Sequence, residues 1–493
     1  MIEESLSELI TDELPHAPTP CQEEAIAALA HFLVTPAPCP AFVLRGYAGT
    51  GKTTLIGALV RVMQKLQRSI VLMAPTGRAA KVLTLHAGRP ASTIHRTIYR
   101  QQTFAGEGTR FSLGFNKLHN ALFIVDEASM IASDTAGSGL FGSGMLLDDL
   151  LHFVYEGPGC QLLFVGDLAQ LPPVGEEESP ALQVAKLQEY GLTVSVANLT
   201  DVVRQSSRSG ILANATNVRN ALRRGDGQLP VIVGAEHGDV RFISGNDLIE
   251  ALVTAYDECG TDGTIVVTRS NKTANIYNAG IRSMVFYREE ELTRGDMVMA
   301  VKNNYFWTAQ ALRETQDAHL PPPAMTFVAN GDIAEVVTVR NVHQMYGFTF
   351  ADATLAFPDY DGEELSCRVL LSTLRSEAPA LTAQEQQRLY ESVLADYADV
   401  PSKKERMKRV REDAYYNAIQ LKYAYAVTCH KAQGGQWERV FIDQGYIPPE
   451  SIGDQSYLRW LYTAITRSTA RLYFVNWPAQ MREVLEEGEE EEE

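Results

Sequence analysis

The chain has 493 residues and a formal net charge of −18, with 45% hydrophobic and 21% charged residues. This length is too great for one hydrophobic core, so we expect two to four domains of a soluble globular protein. No apolar run reaches the length of a membrane span, and the N-terminal residues are acidic. We therefore expect no signal peptide, no transmembrane helix and no membrane partner.

The six cysteines are scattered along the chain, and none of them forms a Cys-x-x-Cys pair. This spacing predicts neither a structural zinc site nor a disulfide framework. Free cysteines are typical of a reducing compartment, so the sequence favours the cytoplasm.

The acidic balance by itself argues against a nucleic-acid partner, because phosphate binding usually requires a basic surface. Seven glutamates lie in the last eight residues, however, and without their charge the chain carries −11. The charge inside a groove decides strand binding more than the total does, so a nucleic-acid partner is not excluded. The tail, residues 483–493, is predicted to be solvated and disordered.

The first part of the chain alternates short apolar runs with helical stretches such as residues 53–67. Each run ends in small or acidic residues, which is typical of buried parallel strands with functional loops at their carboxyl ends. The class is therefore α/β with a mostly parallel sheet. The runs span residues 41–46, 69–76, 121–127 and 160–167.

A second set of apolar strands appears later and is interrupted. From about residue 327 the pattern changes to alternating strands, which predict a small antiparallel barrel or sheet. Residues 382–418 are then polar, charged and helical. We expect a first α/β domain, a second α/β domain split by an insertion, and the acidic tail. The predicted divisions are 1–200, 201–326, 327–418, 419–482 and 483–493.

The segment GYAGTGKT follows a predicted strand and opens a predicted helix, which is the context that a P-loop requires. Its backbone N–H groups can hold nucleotide phosphates, Lys52 would reach the β- and γ-phosphates, and Thr53 would ligate Mg²⁺. A chance glycine-rich turn is disfavoured by the flanking strand and helix. We expect ATP and Mg²⁺ as ligands. The predicted nucleotide-binding residues here are Gly46, Ala48, Gly49, Thr50, Gly51, Lys52, Thr53 and Thr54.

Two further strand ends carry polar side chains suited to phosphate chemistry. Asp126 would hold Mg²⁺, and Glu127 would polarise the attacking water. Gln170, after the next strand, is placed to sense the γ-phosphate. Alone, each strand end is more often structural, but their order after a P-loop favours the catalytic interpretation.

Arginines near the C-terminus and in the middle of the chain are candidates for stabilising charge on the transferred phosphoryl group. Arg467 ends a predicted helix of the second domain, and Arg204 is the second candidate. The ordinary alternative for either arginine is a surface ion pair. In the turn-rich segment 423–436, polar side chains suit phosphate or sugar contacts, and we assign Gln433 and Gly434 to the nucleotide.

Taken in order, the segments GYAGTGKT, APTGRAAK, TIH, VDEASM, GDLAQLPPVG, VVRQ, YAVTCHKAQGGQW and YTAITR resemble the motif series of superfamily 1 helicases. The similarity is to the 5′-to-3′ branch, with its RecD-like and Dda-like members. It implies two RecA-like domains with ATP in the cleft between them and a DNA strand across both. PTPCQEEAIAAL resembles the Q motif of the family, in which Gln22 would read the adenine.

The resemblance also implies a set of DNA contacts, for which an ordinary loop role is the alternative, above all for the two histidines. A hairpin at residues 97–120 would act as a wedge at the fork, with Phe104 or Phe111 stacking on a base pair, unless these rings pack on their own domain. The module from residue 327 resembles an SH3-like insertion, followed by a helical arm. The implied contacts are Pro75, Thr76, Arg78, Thr93, His95, Thr268, Asn271, Asn275, Thr428, His430 and Lys431.

The resemblance implies an ATP-dependent DNA helicase that moves 5′-to-3′ on single-stranded DNA and unwinds duplex. A translocase that strips proteins or acts on RNA is an alternative, and a nucleotide-gated DNA-binding switch is a further one. A stand-alone nuclease is disfavoured, since no second carboxylate cluster with metal-ligand spacing is visible. The expected partners are single-stranded DNA, DNA forks and a single-strand-binding, replication or repair protein, and the chain is expected to be a monomer.

Overall fold

The computed structural model describes residues 2–104, 108–133, 143–201, 209–234, 238–317, 325, 327–448 and 451–482. Among these residues, no helix combines the length and the apolar character needed to cross a lipid bilayer. The tail and Arg204 lie outside the described residues.

The first half of the chain is built on one parallel sheet with helices on its faces. The strands of this half of the chain are β1 (Pro40–Gly46), β2 (Ile70–Ala74), β3 (Ser92–Thr93), β4 (Tyr99–Phe104), β5 (Gly108–Leu113), β6 (Leu122–Val125), β7 (Gln161–Gly166) and β8 (Thr193–Leu199). Its helices are α1 (Ile2–Asp12), α2 (Pro20–Val34), α3 (Lys52–Lys65), α4 (Gly77–Ala87), α5 (Ile94–Ile98), α6 (Leu146–Glu156) and α7 (Val184–Glu189).

The strands of this sheet lie in the order β3-β2-β6-β7-β1-β8, and every neighbouring pair is parallel. Strands β6 and β7 are buried at every position, as expected for a sheet covered on both faces. Strands β6, β7 and β1 are adjacent, so the loops that follow them meet at one edge. Strands β4 and β5 pair separately as an antiparallel hairpin within the predicted range 97–120.

The second half contains another parallel sheet and a barrel. Its strands are β9 (Val240–Ile243), β10 (Thr264–Thr268), β11 (Met297–Ala300), β12 (Ile333–Met345), β13 (Phe348–Phe357), β14 (Glu363–Leu370), β15 (Ile419–Tyr423), β16 (Ala426–Thr428), β17 (Trp437–Asp443) and β18 (Ser468–Val475). Its helices are α8 (Gly210–Arg224), α9 (Leu248–Gly263), α10 (Asn271–Gly280), α11 (Phe306–Asp317), α12 (Ala383–Asp396), α13 (Lys403–Arg411), α14 (Cys429–Ala432) and α15 (Gln455–Ile465).

The second sheet has the order β16-β10-β17-β18-β9 and is also parallel throughout. The chain therefore has the α/β fold with two RecA-like domains that the sequence predicts. The position Gly260 has a left-handed φ of 67° and breaks α9 into two helical pieces.

Strands β11 to β15 close into a barrel. Two of its strands, β11 and β15, lie outside the predicted insertion 327–418, at residues 297–300 and 419–423. The arm helices α12 and α13 pack on the barrel through an apolar cluster that includes Phe348, Leu389 and Val410.

The turn after β13 rests on the first domain. Lys81 of α4 donates to the carbonyl of Pro358 at 2.8 Å and lies 3.9 Å from Asp359. A Cβ at Gly77 would come within 2.9 Å of the Tyr360 hydroxyl, so the absence of a side chain there permits this close approach. The barrel thus bridges to the helix that follows β2.

Candidate active site

A cavity of about 350 Å³ lies where the ends of β6, β7 and β1 meet, and the second domain forms its other wall. The first domain contributes the P-loop and the polar groups of two neighbouring strand ends. The residues that line it are Tyr47, Ala48, Gly49, Gly51, Lys52, Thr53, Thr54, Ala79, Val82, Asp126, Glu127, Asp167, Gln170, Ser209, Ile211, Leu212, Gly434, Gln436, Thr466, Arg467, Ser468 and Thr469.

The P-loop leaves β1 and enters α3 through two glycines in left-handed conformation, Gly49 with φ 74° and Gly51 with φ 82°. The Lys52 ammonium donates to the carbonyls of Gly46 at 2.7 Å and Tyr47 at 2.9 Å. It lies 3.9 Å from a carboxylate oxygen of Asp167. The lysine is thereby held at the mouth of the loop, where a phosphate would meet the N-terminus of α3.

Three carboxylates line the cavity. Burial, reinforced by the neighbouring charge of Glu127, raises the pKa of Asp126 to about 7. Glu127 has a left-handed φ of 51°, an uncommon backbone conformation for a non-glycine residue. Burial also raises the pKa of Asp167, against the opposing charge of Lys52. Hard oxygen ligands beside a phosphate cradle suit Mg²⁺ with a nucleoside triphosphate.

Gln170 contributes an unsatisfied acceptor to the same cavity. Its side-chain oxygen is buried and has no hydrogen-bond partner among the described residues. A buried amide oxygen without a partner is costly, and such groups in native proteins are usually satisfied by water or ligand. The cavity therefore holds an acceptor that can receive a hydrogen bond from a bound water.

Helix α15 of the second domain forms the opposite wall. The Tyr462 hydroxyl donates to Asp167 at 2.6 Å and accepts from the Ala48 N–H at 2.7 Å. One residue on, the Thr463 hydroxyl accepts from the Leu171 N–H at 2.8 Å. Arg467 lines the cavity while its guanidinium donates to the Thr463 carbonyl at 3.0 Å and the Gly435 carbonyl at 3.3 Å.

Some residues predicted to touch the nucleotide have partners elsewhere. The Gln22 amide donates to the carbonyl of Thr50 at 3.0 Å, which ties α2 to the P-loop, and Gln22 does not line the cavity. Gln433 donates to the Leu171 carbonyl at 2.6 Å and so joins the two domains. Gly434, in contrast, lines the cavity.

The predicted DNA-contacting residues of the first domain follow β2 and β3. Thr76 and Thr93 cap the N-termini of α4 and α5 by accepting from backbone N–H groups at 3.2 Å. Pro75 precedes Thr76 and is half-buried. Arg78 stacks 4.1 Å from the centroid of the Trp437 ring in the second domain.

His95 packs against the barrel side of the molecule. Its ring lies 5.6 Å from Tyr99 and 6.0 Å from Phe327, measured between centroids. Burial lowers the pKa of His95 to about 4, so the ring is neutral at physiological pH.

The second-domain set follows β10 and β16, which are adjacent strands with Thr268 opposite Thr428. His430 is exposed and lines a cavity of about 530 Å³ with Arg269, Arg459, Trp460 and the loop 171–177 of the first domain. Lys431 is half-buried beside it, and burial lowers its pKa.

On α10, the first residue Asn271 is half-buried. Asn275 donates to the carbonyl of Ser376 at 2.8 Å, so its amide is engaged with the segment after β14. The side chains of Phe104 and Phe111 lie outside the described residues, although the hairpin backbone that carries them is described.

Comparisons with known proteins agree with this geometry. A family model for an AAA domain matches residues 20–245, and one for a UvrD-like helicase C-terminal domain matches residues 423–475. The first match contains the P-loop wall of the cavity and the second contains Arg467. These matches support a likeness to the RecD- and Dda-like helicases of superfamily 1, the resemblance that the motif series predicts.

Individual relatives of this chain are distant or cover part of it. The ATP-dependent RecD2 DNA helicase of Deinococcus radiodurans is 36% identical over 35% of this chain and 21% of that protein. The ATP-dependent DNA helicase dda of Enterobacteria phage T4 is 24% identical over 88% of this chain and 93% of that protein. A solved structure of Pif1 helicase from Bacteroides in complex with ADP-AlF3 and ssDNA is 16% identical, with a TM-score of 0.45 over 95% of both chains. An uncharacterized protein of Methanocaldococcus jannaschii is 23% identical over 88% of this chain, which spans 36% of the length of that protein and 21% of the length of RecD2.

Two residues at the centre of this site, Asp167 and Tyr462, were not predicted from the sequence. The first sits at a strand end, one position beyond β7, which is the same signal that identified Asp126. The second lies five residues before Arg467 on α15, and its contact with Asp167 spans 295 positions of sequence. A tyrosine inside an apolar helix gives no local sign of such a contact.

Proposed function

We propose that this chain is an ATP-dependent DNA helicase that moves 5′-to-3′ along single-stranded DNA and unwinds duplex. One observation carries the proposal: a single cavity joins Lys52, Glu127 and Gln170 of one RecA-like domain to Arg467 of the other. A nucleotide in that cavity would contact both domains at once. The direction of movement rests on the RecD- and Dda-like family.

The roles proposed at the cavity follow from the positions of the side chains. Thr53 and Asp126 would hold Mg²⁺, which neutralises charge on the phosphates when bound. Glu127 would act as base toward the attacking water, and the free Gln170 oxygen would accept a hydrogen bond from it. Lys52 would exchange its loop carbonyls for phosphate oxygens.

Arg467 would act from the second domain. Its guanidinium donates to the carbonyls of Thr463 and Gly435 and to the Thr466 hydroxyl, which uses three of its five N–H groups and leaves others for a phosphoryl oxygen. Whether the guanidinium reaches that oxygen would depend on how closely α15 approaches the P-loop. Binding and release of nucleotide would therefore shift the population between closed and open clefts.

The DNA strand is proposed to lie across the ends of β2 and β3 and then of β10 and β16. The exposed His430 supports this course, with Arg269 and Arg459 in the same cavity, which also contains the acidic Glu176 and Glu177. The loop 171–177 borders the same cavity and continues directly from Gln170, which lines the nucleotide cavity. A change of contacts at Gln170 would thus be transmitted to the DNA strand through the loop 171–177.

We further propose that the chain works as a monomer in the cytoplasm and meets DNA forks together with a single-strand-binding, replication or repair protein. The compartment is supported by the six cysteines, all of which are free thiols.

ATP hydrolysis measured with and without single-stranded DNA tests the proposal. We expect hydrolysis to be stimulated by DNA, and Lys52→Ala to remove turnover while leaving strand binding within about twofold. Lys65→Ala, an exposed lysine at the other end of α3 that pairs with Glu13, is the control and should leave hydrolysis unchanged. If RNA but not DNA stimulates ATP hydrolysis, the strand along which the chain moves is RNA. Wild-type turnover in Lys52→Ala would disprove the site.

A further inference from the structure

Helix α13 concentrates positive charge in a chain that is strongly acidic. Its nine residues, KKERMKRVR, include six basic side chains and one acid, which gives the helix a formal charge of +5. The whole chain carries −18. So dense a basic cluster in an acidic protein produces a strong local potential that attracts polyanions.

The helix is fixed to the barrel by one face. Val410 is fully buried and joins Phe348, Phe350, Leu389 and Val393 in the apolar cluster under the arm. Ser402 caps the N-terminus by accepting from a backbone N–H at 3.4 Å. The basic face is therefore held by packing and is not a loose charged segment.

The opposite face presents a row of cations. Lys404, Lys408 and Arg411 are spaced by four and three residues and so lie on one side of the helix, away from Val410. Lys404 and Arg411 are exposed and Lys408 is half-buried. No ion pair joins Lys404 or Lys408 to any residue that the structure describes.

The row of three cations is long enough to meet several phosphates of double-stranded DNA. From Lys404 to Arg411 the helix rises about 10 Å, and duplex DNA carries about six phosphate charges over that length of its axis. Strand β13 runs from the cluster under the arm to the turn that touches α4, about 30 Å for its ten residues. The basic face is therefore distinct from the proposed strand contacts at the end of β2.

We propose that α13 is a docking surface for the phosphate backbone of duplex DNA. This inference rests on the proposed function, because α13 would give the helicase a second, sequence-independent binding site for the duplex portion of its substrate. The contact is electrostatic and leaves the ATP cavity untouched.

Affinity for a blunt duplex, measured without nucleotide at several salt concentrations, tests the inference. Lys404→Gln/Lys408→Gln should weaken binding about tenfold or more at low salt and reduce the slope of log K against log salt by about 1.8, the release expected for two phosphates. Lys404→Arg/Lys408→Arg keeps the charges and should bind like the wild type. Arg223→Gln/Arg224→Gln, two exposed cations in the last turn of α8, removes the same charge elsewhere and should change little.

Strand-stimulated ATP hydrolysis separates the two claims. The Lys404→Gln/Lys408→Gln variant should keep wild-type ATP hydrolysis with single-stranded DNA. If the wild-type chain shows no DNA-stimulated hydrolysis, the proposed function is wrong, and the affinity for duplex DNA still tests the docking surface separately. Unchanged duplex affinity and salt slope in Lys404→Gln/Lys408→Gln would overturn the docking surface. Carbodiimide cross-links from Lys404 or Lys408 to the glutamates of residues 483–493, together with unchanged duplex affinity, would show that the acidic tail occupies the face and would equally overturn it.

Discussion

The Tyr462 hydroxyl donates a hydrogen bond of 2.6 Å to the Asp167 carboxylate, and these residues belong to different RecA-like domains. Burial and the charge of Asp167 raise the pKa of Tyr462 well above its usual value, so the phenol stays protonated and donates. Asp167 in turn lies 3.9 Å from the Lys52 ammonium. The second domain is thus linked to the P-loop lysine through two side chains.

Removing this hydroxyl should slow ATP turnover. We expect Tyr462→Phe to lower kcat for strand-stimulated hydrolysis about tenfold, since a hydrogen bond to a charged group contributes about 1.5–3 kcal/mol and the Ala48 N–H loses its acceptor as well. Steady-state ATP hydrolysis at saturating ATP and DNA measures this kcat.

Tyr457 provides the control for that substitution. It lies on the same helix, is equally buried, and donates to Gln444 of its own domain at 2.8 Å. Tyr457→Phe loses a hydroxyl without touching the first domain, so kcat should stay near the wild-type value. Equal losses in both variants would show that helix stability, not the link between domains, sets the effect.

The carboxylate of Glu127 should be needed for hydrolysis and not for nucleotide binding. Glu127→Gln keeps the shape of the side chain and removes the base, so turnover should fall by about 10²–10⁴ while ATP affinity stays within a few fold. A nucleotide-binding titration beside the turnover assay separates the two effects. Full turnover in Glu127→Gln would move the role of base to another group.

Asp332 should make stability depend on pH. Burial raises its pKa to about 7 in the folded chain, where it accepts from the Ala329 N–H at 2.7 Å. Between about pH 4, its unfolded pKa, and pH 7 the folded chain holds a proton that the unfolded chain has released. Stability therefore falls as pH rises through this window, by about 4 kcal/mol at most for this group, and levels off above it.

Thermal unfolding at pH 5 and pH 7.5 checks this dependence. Asp332→Asn keeps an acceptor for Ala329 and cannot ionise, so its Tm should drop less than that of the wild type between the two pH values. Asp226→Asn is the control, because the hydrogen bond from the Gln228 N–H lowers the pKa of this exposed carboxylate, which is ionised at both pH values; this variant should show the same drop in Tm between them as the wild type. A parallel drop in Asp332→Asn and wild type would refute the assignment.

Much of the fold follows from local patterns in the sequence. The P-loop, Asp126 and Glu127 were predictable because each stands at the carboxyl end of an apolar run, and parallel strands bring such ends together. Short edge strands such as β3 and β16 were missed, since two or three residues carry no periodicity.

The limits of the barrel show why the remainder was harder to predict. Strand β15 contains Gln420 and Lys422, both buried, which breaks the alternation that identified β12 to β14. The Lys422 ammonium is satisfied by the carbonyls of Thr373 and Ser376, contacts made only after the chain has closed the barrel. Strand β15 therefore depends on contacts with residues that are distant in sequence. The same is true of the contact between Tyr462 and Asp167.

We propose that ATP hydrolysis in the cleft moves this chain 5′-to-3′ along DNA. Strand displacement on two partial duplexes, one with a 5′ single-stranded tail and one with a 3′ tail, tests it with ATP and Mg²⁺ present. We expect unwinding of the 5′-tailed duplex alone, and we expect Lys52→Ala to abolish it. Unwinding from the 3′ tail alone, or of neither duplex while single strands still stimulate hydrolysis, would contradict it.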